Sequence, residues 1–291
     1  MPKIILKIFF SLLVALDKFA KFFGKDTFFQ QINDFIVNKS YMEIALKNHK
    51  IKFFVPNKLT HYRASTILNK EPETIEWIEN FEKKNNEKII FWDIGANVGL
   101  YSIYAANFHK NISVYSFEAS TSNLRCLSRN ISINSFQNKI NICQLPVTNK
   151  EKVFLEMKEK QFMEGGAIST FGEDFDYRGN KILSPENNYF ILGTSINSLI
   201  DDNTLQVPNY LKVDVDGIEH LILQGANKYL KHKNLKGISI ELNENFKEQF
   251  DKSFKILQDN GFTQIFKKNS TSYVEKLNET KNYHFEKNKI I

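Results

Sequence analysis

The chain has 291 residues, 42% hydrophobic and 25% charged, enough apolar content for a sizeable core and too much for a disordered chain. Its net charge of +6 comes from lysines scattered without a basic block, which excludes a nucleic-acid footprint and reads as solvated surface. Two cysteines, Cys126 and Cys143, belong to no CxxC pair or Cys/His cluster, so no zinc site or disulfide framework is indicated and a reducing, cytosolic setting is expected.

Residues 1–25, "MPKIILKIFFSLLVALDKFAKFFGK", read as one amphipathic helix. At helical periodicity Lys3, Lys7, Ser11, Asp17, Lys18, Lys21 and Lys25 fall within an arc of roughly 120°. Ile, Leu, Val and Phe fill the rest. The cleanest apolar run, Ile8 to Leu16, is short of the ~20 residues a bilayer span needs, and no small-residue cleavage site follows it. Two main readings stand. The helix lies as a peripheral contact in a membrane surface, or it packs on the protein or a partner, and the basic stripe favours the first.

Residues 26–87 read as a lead-in region. A strand is predicted from Ile51 to Pro56. A helix is predicted over 70–88, with Pro72 in its first turn and Glu71, Glu73 and Glu76 near the positive end of its dipole. Ile75, Ile78 and Phe81 make its buried stripe. His61 and Arg63 are placed in a loop, within reach of a substrate but expected to be exposed.

From Lys88 to the end of the chain, strand and helix patterns alternate, which predicts a doubly wound, mostly parallel sheet with helices on both faces. "FTQIFKK" and "YHFEKN" close an antiparallel hairpin at the sheet edge. Ligands of such sheets sit at the carboxyl ends of the strands. The first of these ends carries Asp93-Ile-Gly95-Ala-Asn97-Val-Gly99. Gly95 and Gly99 permit close backbone approach to a ligand. A dinucleotide fingerprint would have glycine where Asn97 stands. A carboxylate at Asp93 would repel a pyrophosphate and suits an ammonium group, such as the amino-acid end of S-adenosylmethionine. Glu118, about 20 residues further on, stands where an acid takes two ribose hydroxyls.

A second cluster lies in "LKVDVDGIEH". Leu211, Val213 and Val215 take one face of this strand, and Lys212, Asp214 and Asp216 the other. Charges on a covered sheet are costly unless paired or used. Structural roles compete with catalytic ones: Asp216 and Glu219 match a capping box, and Lys212 with Asp214 match a buried pair. Glu241, ending the next strand, projects toward the same crevice or sits on its rim. The stretch from Met157 to Gly193 reads as irregular, either a substrate lid hinged at Gly165 and Gly166 or a disordered insertion.

With "DIGANVGLYS", "FEAS", "LPVTN", "TSINSLIDD", "LKVDVDGIEHLILQGA" and "ISIEL" in order, the chain resembles the FkbM family of S-adenosylmethionine-dependent methyltransferases over about residues 85–245. The resemblance implies a class I methyltransferase, a Rossmann-like three-layer αβα sandwich whose seven-stranded sheet is parallel except for its last strand, here with an N-terminal helical extension. It implies methyl transfer to a hydroxyl oxygen. Asp93, Gly95, Asn97 and Gly99 would then meet the methionine side of the cofactor, Glu118 the ribose, and Pro146 and Val147 the adenine. The chain departs from the family at Ala119, where proline is frequent, and at Asp216, where glutamate is frequent, which shortens the reach of a base.

The expected function is O-methylation of a sugar hydroxyl on a cell-envelope glycan or glycolipid precursor, at the cytosolic face of a membrane. Asp214 or Asp216 leads as general base, with Glu219 and Glu241 behind and Lys212 as their counter-ion. A divalent metal lowering the hydroxyl pKa is an open alternative. An NAD(P)-dependent oxidoreductase and a non-catalytic, membrane-tethered binding module are the rival readings.

Overall fold

The computed structural model describes residues 2–23, 27–47, 49–82, 87–269 and 280–287. Helix α1 (Pro2–Phe22) pairs with α2 (Phe28–Lys39). Asp17, the only acid on α1, is buried because its carboxylate accepts the Phe29 N–H at 3.2 Å and meets Lys21 Nζ at 2.9 Å. Phe10 and Phe29 rings pack at 5.7 Å. Ile5, Ile8, Phe9, Leu12 and Phe19 nevertheless stay more than half exposed, so α2 covers only part of the apolar side. No helix among the described residues is long and apolar enough to cross a membrane. Lys25, the end of the basic stripe, lies outside the described residues.

The predicted strand of the lead-in is β2 (Lys50–Phe54), paired antiparallel with β1 (Tyr41–Ala45). Two helices follow, α3 (Lys58–Lys70) and α4 (Pro72–Glu79). Asn57 and Thr60 form a reciprocal capping box that starts α3, and this places His61 and Arg63 on a helix instead of the expected loop. Helix α4 is shorter than the pattern predicts. The chain leaves it to bury Phe81, whose ring stacks 3.9 Å from that of Tyr210.

The remaining elements are β3 (Ile89–Ile94), α5 (Leu100–Phe108), β4 (Ile112–Phe117), α6 (Thr121–Ile133), β5 (Ile140–Cys143), β6 (Val153–Glu159), β7 (Ser169–Phe171), β8 (Asn187–Gly193), α7 (Ile196–Asp201), β9 (Tyr210–Val213), α8 (Glu219–Gln224), β10 (Gly237–Asn243), α9 (Lys247–Asp259), β11 (Phe262–Asn269) and β12 (Thr280–Lys287). The main sheet runs β11-β12-β10-β9-β3-β4-β5, and β12 alone runs against the direction of the other six strands. The expected hairpin forms, but β12 inserts between β10 and β11. Of the hairpin's two strands only β11 lies at a sheet edge, and Tyr283 and Phe285 of β12 are buried.

Strand alternation divides the core. Ile89 and Phe91 face Ile67, Trp77, Ile103 and Leu127 of α3–α6, so the lead-in shares a core with the sheet. Trp92, Ile94, Leu211 and Val213 face α7–α9 on the other side. These are the three layers. The span expected to be irregular contains an antiparallel sheet of order β7-β6-β8 instead. Helix α8 stops at Gly225, short of the predicted Leu230. A Cβ there would lie 2.3 Å from the Thr148 carbonyl oxygen, and Asn197 N–H binds the Gly225 carbonyl at 2.7 Å.

Candidate active site

The loop after β3 is held against β4 and β9 by its own backbone. Gly95 and Ala96 N–H groups both donate to Phe117 O, at 3.0 and 2.9 Å. Gly95 has φ +84°, and a Cβ on it would lie 1.8 Å from the Asp214 carbonyl oxygen. Asn97, at φ +52°, occupies the left-handed region that asparagine tolerates through local hydrogen bonding. Its Oδ1 accepts the Val98 N–H at 2.9 Å and its Nδ2 donates to Gly166 O at 2.7 Å. Gly99 starts α5 and packs against Leu127.

Glu118 follows β4. Its carboxylate accepts the Asn97 N–H at 2.7 Å and the Ser120 N–H at 2.8 Å, and burial pushes its pKa up to about 7 against those bonds. A cleft is lined by Gly95, Asn97, Glu118, Pro146, Val147, Asp214 and Asp216, with Phe117, Leu145, Met157 and Phe171 as apolar walls. These residues fit S-adenosylmethionine. The side-chain-free backbone at Gly95 allows close approach, Glu118 keeps lone pairs for hydroxyls, and the apolar wall suits a purine.

Asp93 does not join that lining. It is wholly buried, its Oδ2 accepts the Ser102 hydroxyl at 2.6 Å, and its Oδ1 has no partner. Burial raises its pKa, while Lys212, its register partner on β9, opposes the rise. Lys212 is itself buried. Its ammonium donates to Asp214 at 2.7 Å and sits 4.9 Å from the Tyr101 ring centroid. Burial works against its charge, yet Asp214, Asp93 and Glu71 together hold its pKa above the ordinary lysine value.

Beyond β9 the chain turns at Asp216, a non-glycine residue at φ +61°. Its carboxylate accepts the Ile168 and Ser169 N–H groups at 2.7 and 3.3 Å. Burial and Asp214 lift its pKa to about 6. The capping box expected of Asp216 and Glu219 does not form: α8 has Ile218 at its cap and no side-chain cap bond, because Asp216 is turned to the start of β7. Glu219 folds back to accept the Val215 and Gly217 N–H groups, both at 3.1 Å, and the Gln249 amide. Burial raises it to about 7. Glu241 is half-buried at the end of β10, and burial, Asp214 and Glu71 push its carboxyl well above the usual range. Neither Glu219 nor Glu241 lines this cleft or the one beside it. Among the described residues no group of three His, Cys, Asp or Glu is placed to hold a metal ion.

That second cleft shares Gly95, Asn97 and Asp214 with the first. Its other lining includes Arg63, Lys70, Glu71, Tyr101 and Lys212. Glu71 is 2% exposed and accepts from Tyr101 Oη at 2.6 Å and Lys70 Nζ at 2.8 Å. Burial would raise its pKa, but Lys70 and Lys212 outweigh that and hold it at about 2. Sequence reasoning missed Lys70, Glu71 and Tyr101. The adjacent Lys-Glu pair before Pro72 was their only signal, and it also suits a helix start. Asn123 was missed as well: it accepts the Gly165 N–H at 2.8 Å and donates to Gly166 O at 3.2 Å. With Arg63 Nε on Gly165 O at 2.6 Å, and with Asn97 and Asp216, it clamps residues 165–169 over the loop.

The Methyltransferase FkbM domain family matches residues 93–263, which hold the loop, Glu118, Asp214, Asp216, Glu219 and Glu241. Among solved structures, the chain is similar to the FkbM methyltransferase of Methylobacillus flagellatus, at 13% identity over 79% of this chain and 55% of that one, TM-score 0.46. It thus spans about half the length of that protein. It is also similar to a precorrin-6y methyltransferase of Geobacter metallireducens, at 13% identity over 76% of this chain and 90% of that one, TM-score 0.44. The TYW2 protein of M. jannaschii, crystallised with AdoMet, gives 13% identity over 85% of this chain and 87% of that one, TM-score 0.39. No curated protein sequence gives a significant match.

Proposed function

This chain belongs to the FkbM methyltransferase family and is an S-adenosylmethionine-dependent methyltransferase, and from that premise we propose that it methylates a hydroxyl oxygen of a cell-envelope glycan or glycolipid precursor. The observation that carries this reading is the position of Asp214, whose residue lines both clefts. A group held in the first cleft and an acceptor in the second would meet at its carboxylate. S-adenosylmethionine, held by Gly95, Asn97, Glu118, Pro146 and Val147, supplies an activated methyl group when bound.

An alcohol is a weak nucleophile at neutral pH, so a base must take its proton as the new bond forms. Asp214 is suited to that task. Its side chain retains 29% of its accessibility while Lys212 fixes one of its oxygens. Asp216 and Glu219 have their carboxylates committed to backbone N–H groups, which makes them positioning residues in this reading. The alternation of donors and acceptors along the second cleft, from Arg63 and Lys70 to Glu71 and Asp214, matches hydroxyls that both donate and accept.

The test is methyl transfer from labelled S-adenosylmethionine to total envelope glycan extract. Asp214→Asn should lower turnover ~100- to 10,000-fold, the range of a lost general base, and leave S-adenosylhomocysteine affinity unchanged. Turnover within threefold of wild type would remove Asp214 from the mechanism. The lipid-linked acceptor is further supported by α1, whose exposed Ile5, Ile8, Phe9 and Leu12 accompany Lys3, Lys7 and Lys18 in the arrangement of a helix lying on an anionic, cytosolic membrane face.

A further inference from the structure

One charged group lining the second cleft is held in no salt bridge, although it lies in the field of Asp216. Lys70 pairs with Glu71 at 2.8 Å and Lys212 with Asp214 at 2.7 Å, which leaves Arg63 as the remaining charged group of the lining. Its Nε–H is fixed by Gly165 O at 2.6 Å, and it forms no salt bridge with a described carboxylate. Its two terminal amino groups are therefore available to whatever enters. Arg63 and Lys70 repel one another, and an anion between them would relieve that repulsion. Glu241 faces Lys70 from β10, and burial, Asp214 and Glu71 push its carboxyl above the usual range.

We propose that Arg63 reads an anionic group of the acceptor, a carboxylate or a phosphate monoester carried near the hydroxyl that receives the methyl group. This rests on the reading of the second cleft as the acceptor site, and it narrows the acceptor from a neutral polyol to an acidic saccharide or a sugar phosphate. A guanidinium offers a planar fork that matches both anions, and the bond from Nε to Gly165 orients that fork before the acceptor arrives. Half-burial of Arg63 on α3 strengthens the attraction relative to a fully solvated arginine.

The experiment uses the full chain saturated with S-adenosylhomocysteine and titrated at fixed ionic strength with glucose, glucuronate, a glucose phosphate monoester and inorganic phosphate. At least one acidic sugar should bind ~10-fold or more tightly than glucose, as a charge-assisted fork implies, and more tightly than inorganic phosphate alone. A preference for glucuronate identifies a uronate acceptor, and a preference for the monoester identifies a sugar phosphate. Arg63→Gln, which keeps an N–H donor for Gly165, and Arg63→Met should both reduce the preference below threefold. Equal binding of the acidic and neutral sugars by the wild type overturns the proposal. So does a loss seen only in Arg63→Met, which would mean that Arg63 acts through Gly165. Anion preference without methyl transfer to any glycan would sink the proposed function alone, and transfer without anion preference would sink this inference alone.

Discussion

Gly95→Ala is the sharpest test of how the cofactor loop is built. The added Cβ would stand 1.8 Å from Asp214 O and 2.8 Å from Asp214 C. A carbon–oxygen contact relaxes to about 3.3 Å, so the loop or the end of β9 must retreat by roughly 1.5 Å. Neither is free to do so. Asp214 N–H is bonded to Ile94 O at 3.0 Å, and the loop's own N–H groups are bonded to Phe117 O. Breaking one or two of these bonds costs about 1–3 kcal/mol, and forcing alanine to φ +84° adds about 1 kcal/mol. The expected loss is about 3 kcal/mol, or roughly 6–12 °C in Tm for a chain of this size. Gly261 supplies the control, since it has φ +82° and a Cβ added there would meet nothing within 4 Å, so Gly261→Ala isolates the conformational part at about 1 kcal/mol. Thermal melts and S-adenosylhomocysteine calorimetry on both variants read the difference. Gly95→Ala should weaken the nucleotide ~100-fold or more, as a displacement of about 1 Å at a site does, while Gly261→Ala leaves it unchanged. If the two variants melt and bind alike, the close approach of the loop to β9 has no energetic consequence and the reasoning fails.

Two further outcomes follow from the same geometry. Asp216, with its pKa raised to about 6, holds a proton in the folded state over a pH range where the unfolded chain has lost it. Its contribution to stability therefore falls as pH rises from about 4 to about 7, by up to about 3 kcal/mol. Glu118 and Glu219, both near 7, slope the same way, and the depressed His220 and His284 oppose them below pH 6.5. Subtracting the wild-type melting curve from that of Asp216→Asn isolates one group: the Tm difference should grow in favour of the variant as pH rises, and a flat difference would refute the assignment. Deleting residues 1–25 should abolish flotation with anionic vesicles at low salt and leave S-adenosylhomocysteine binding intact, whereas unchanged flotation would remove α1 from membrane contact.

The loop after β3 and the cleft beside it were legible because their constraints are local. Gly95, Asn97 and Gly99 have φ values between +52° and +85°, so residue type reports conformation directly. Glu118, Pro146 and Val147 sit at or just beyond strand ends, where the fold class alone brings them to one cleft. The misplacements have physical reasons. Asp93 shares the parity of Ile89 and Phe91, which face α5, and that alternation carries its carboxylate under the loop to Ser102. The D-x-x-E pattern at Asp216 matched a cap, but the left-handed turn at Asp216 sent the carboxylate to the start of β7. The small β7-β6-β8 sheet was hidden because exposed Phe154 and Phe190 blur the alternation of β6 and β8, and because β7 has only three residues.

The second cleft, the acceptor site in the reading proposed above, was illegible for a different reason. Arg63, Lys70 and Glu71 lie more than 140 residues from Asp214 and outside the family-matched segment at 93–263. They reach the second cleft only because α3 and α4 pack Ile67, Ile75 and Trp77 into the same core as Phe91. One wall of the site therefore belongs to the family's architecture of methyl donation, and the facing wall belongs to the lead-in. Asp214 stands where they meet, coupled to Lys212 on the strand side and, through Lys212, to the field of Glu71 on the other. A substitution on α3 thus alters the lining of the second cleft without touching Gly95 or Glu118. A substitution at Gly95 moves the Asp214 backbone and must disturb both clefts together.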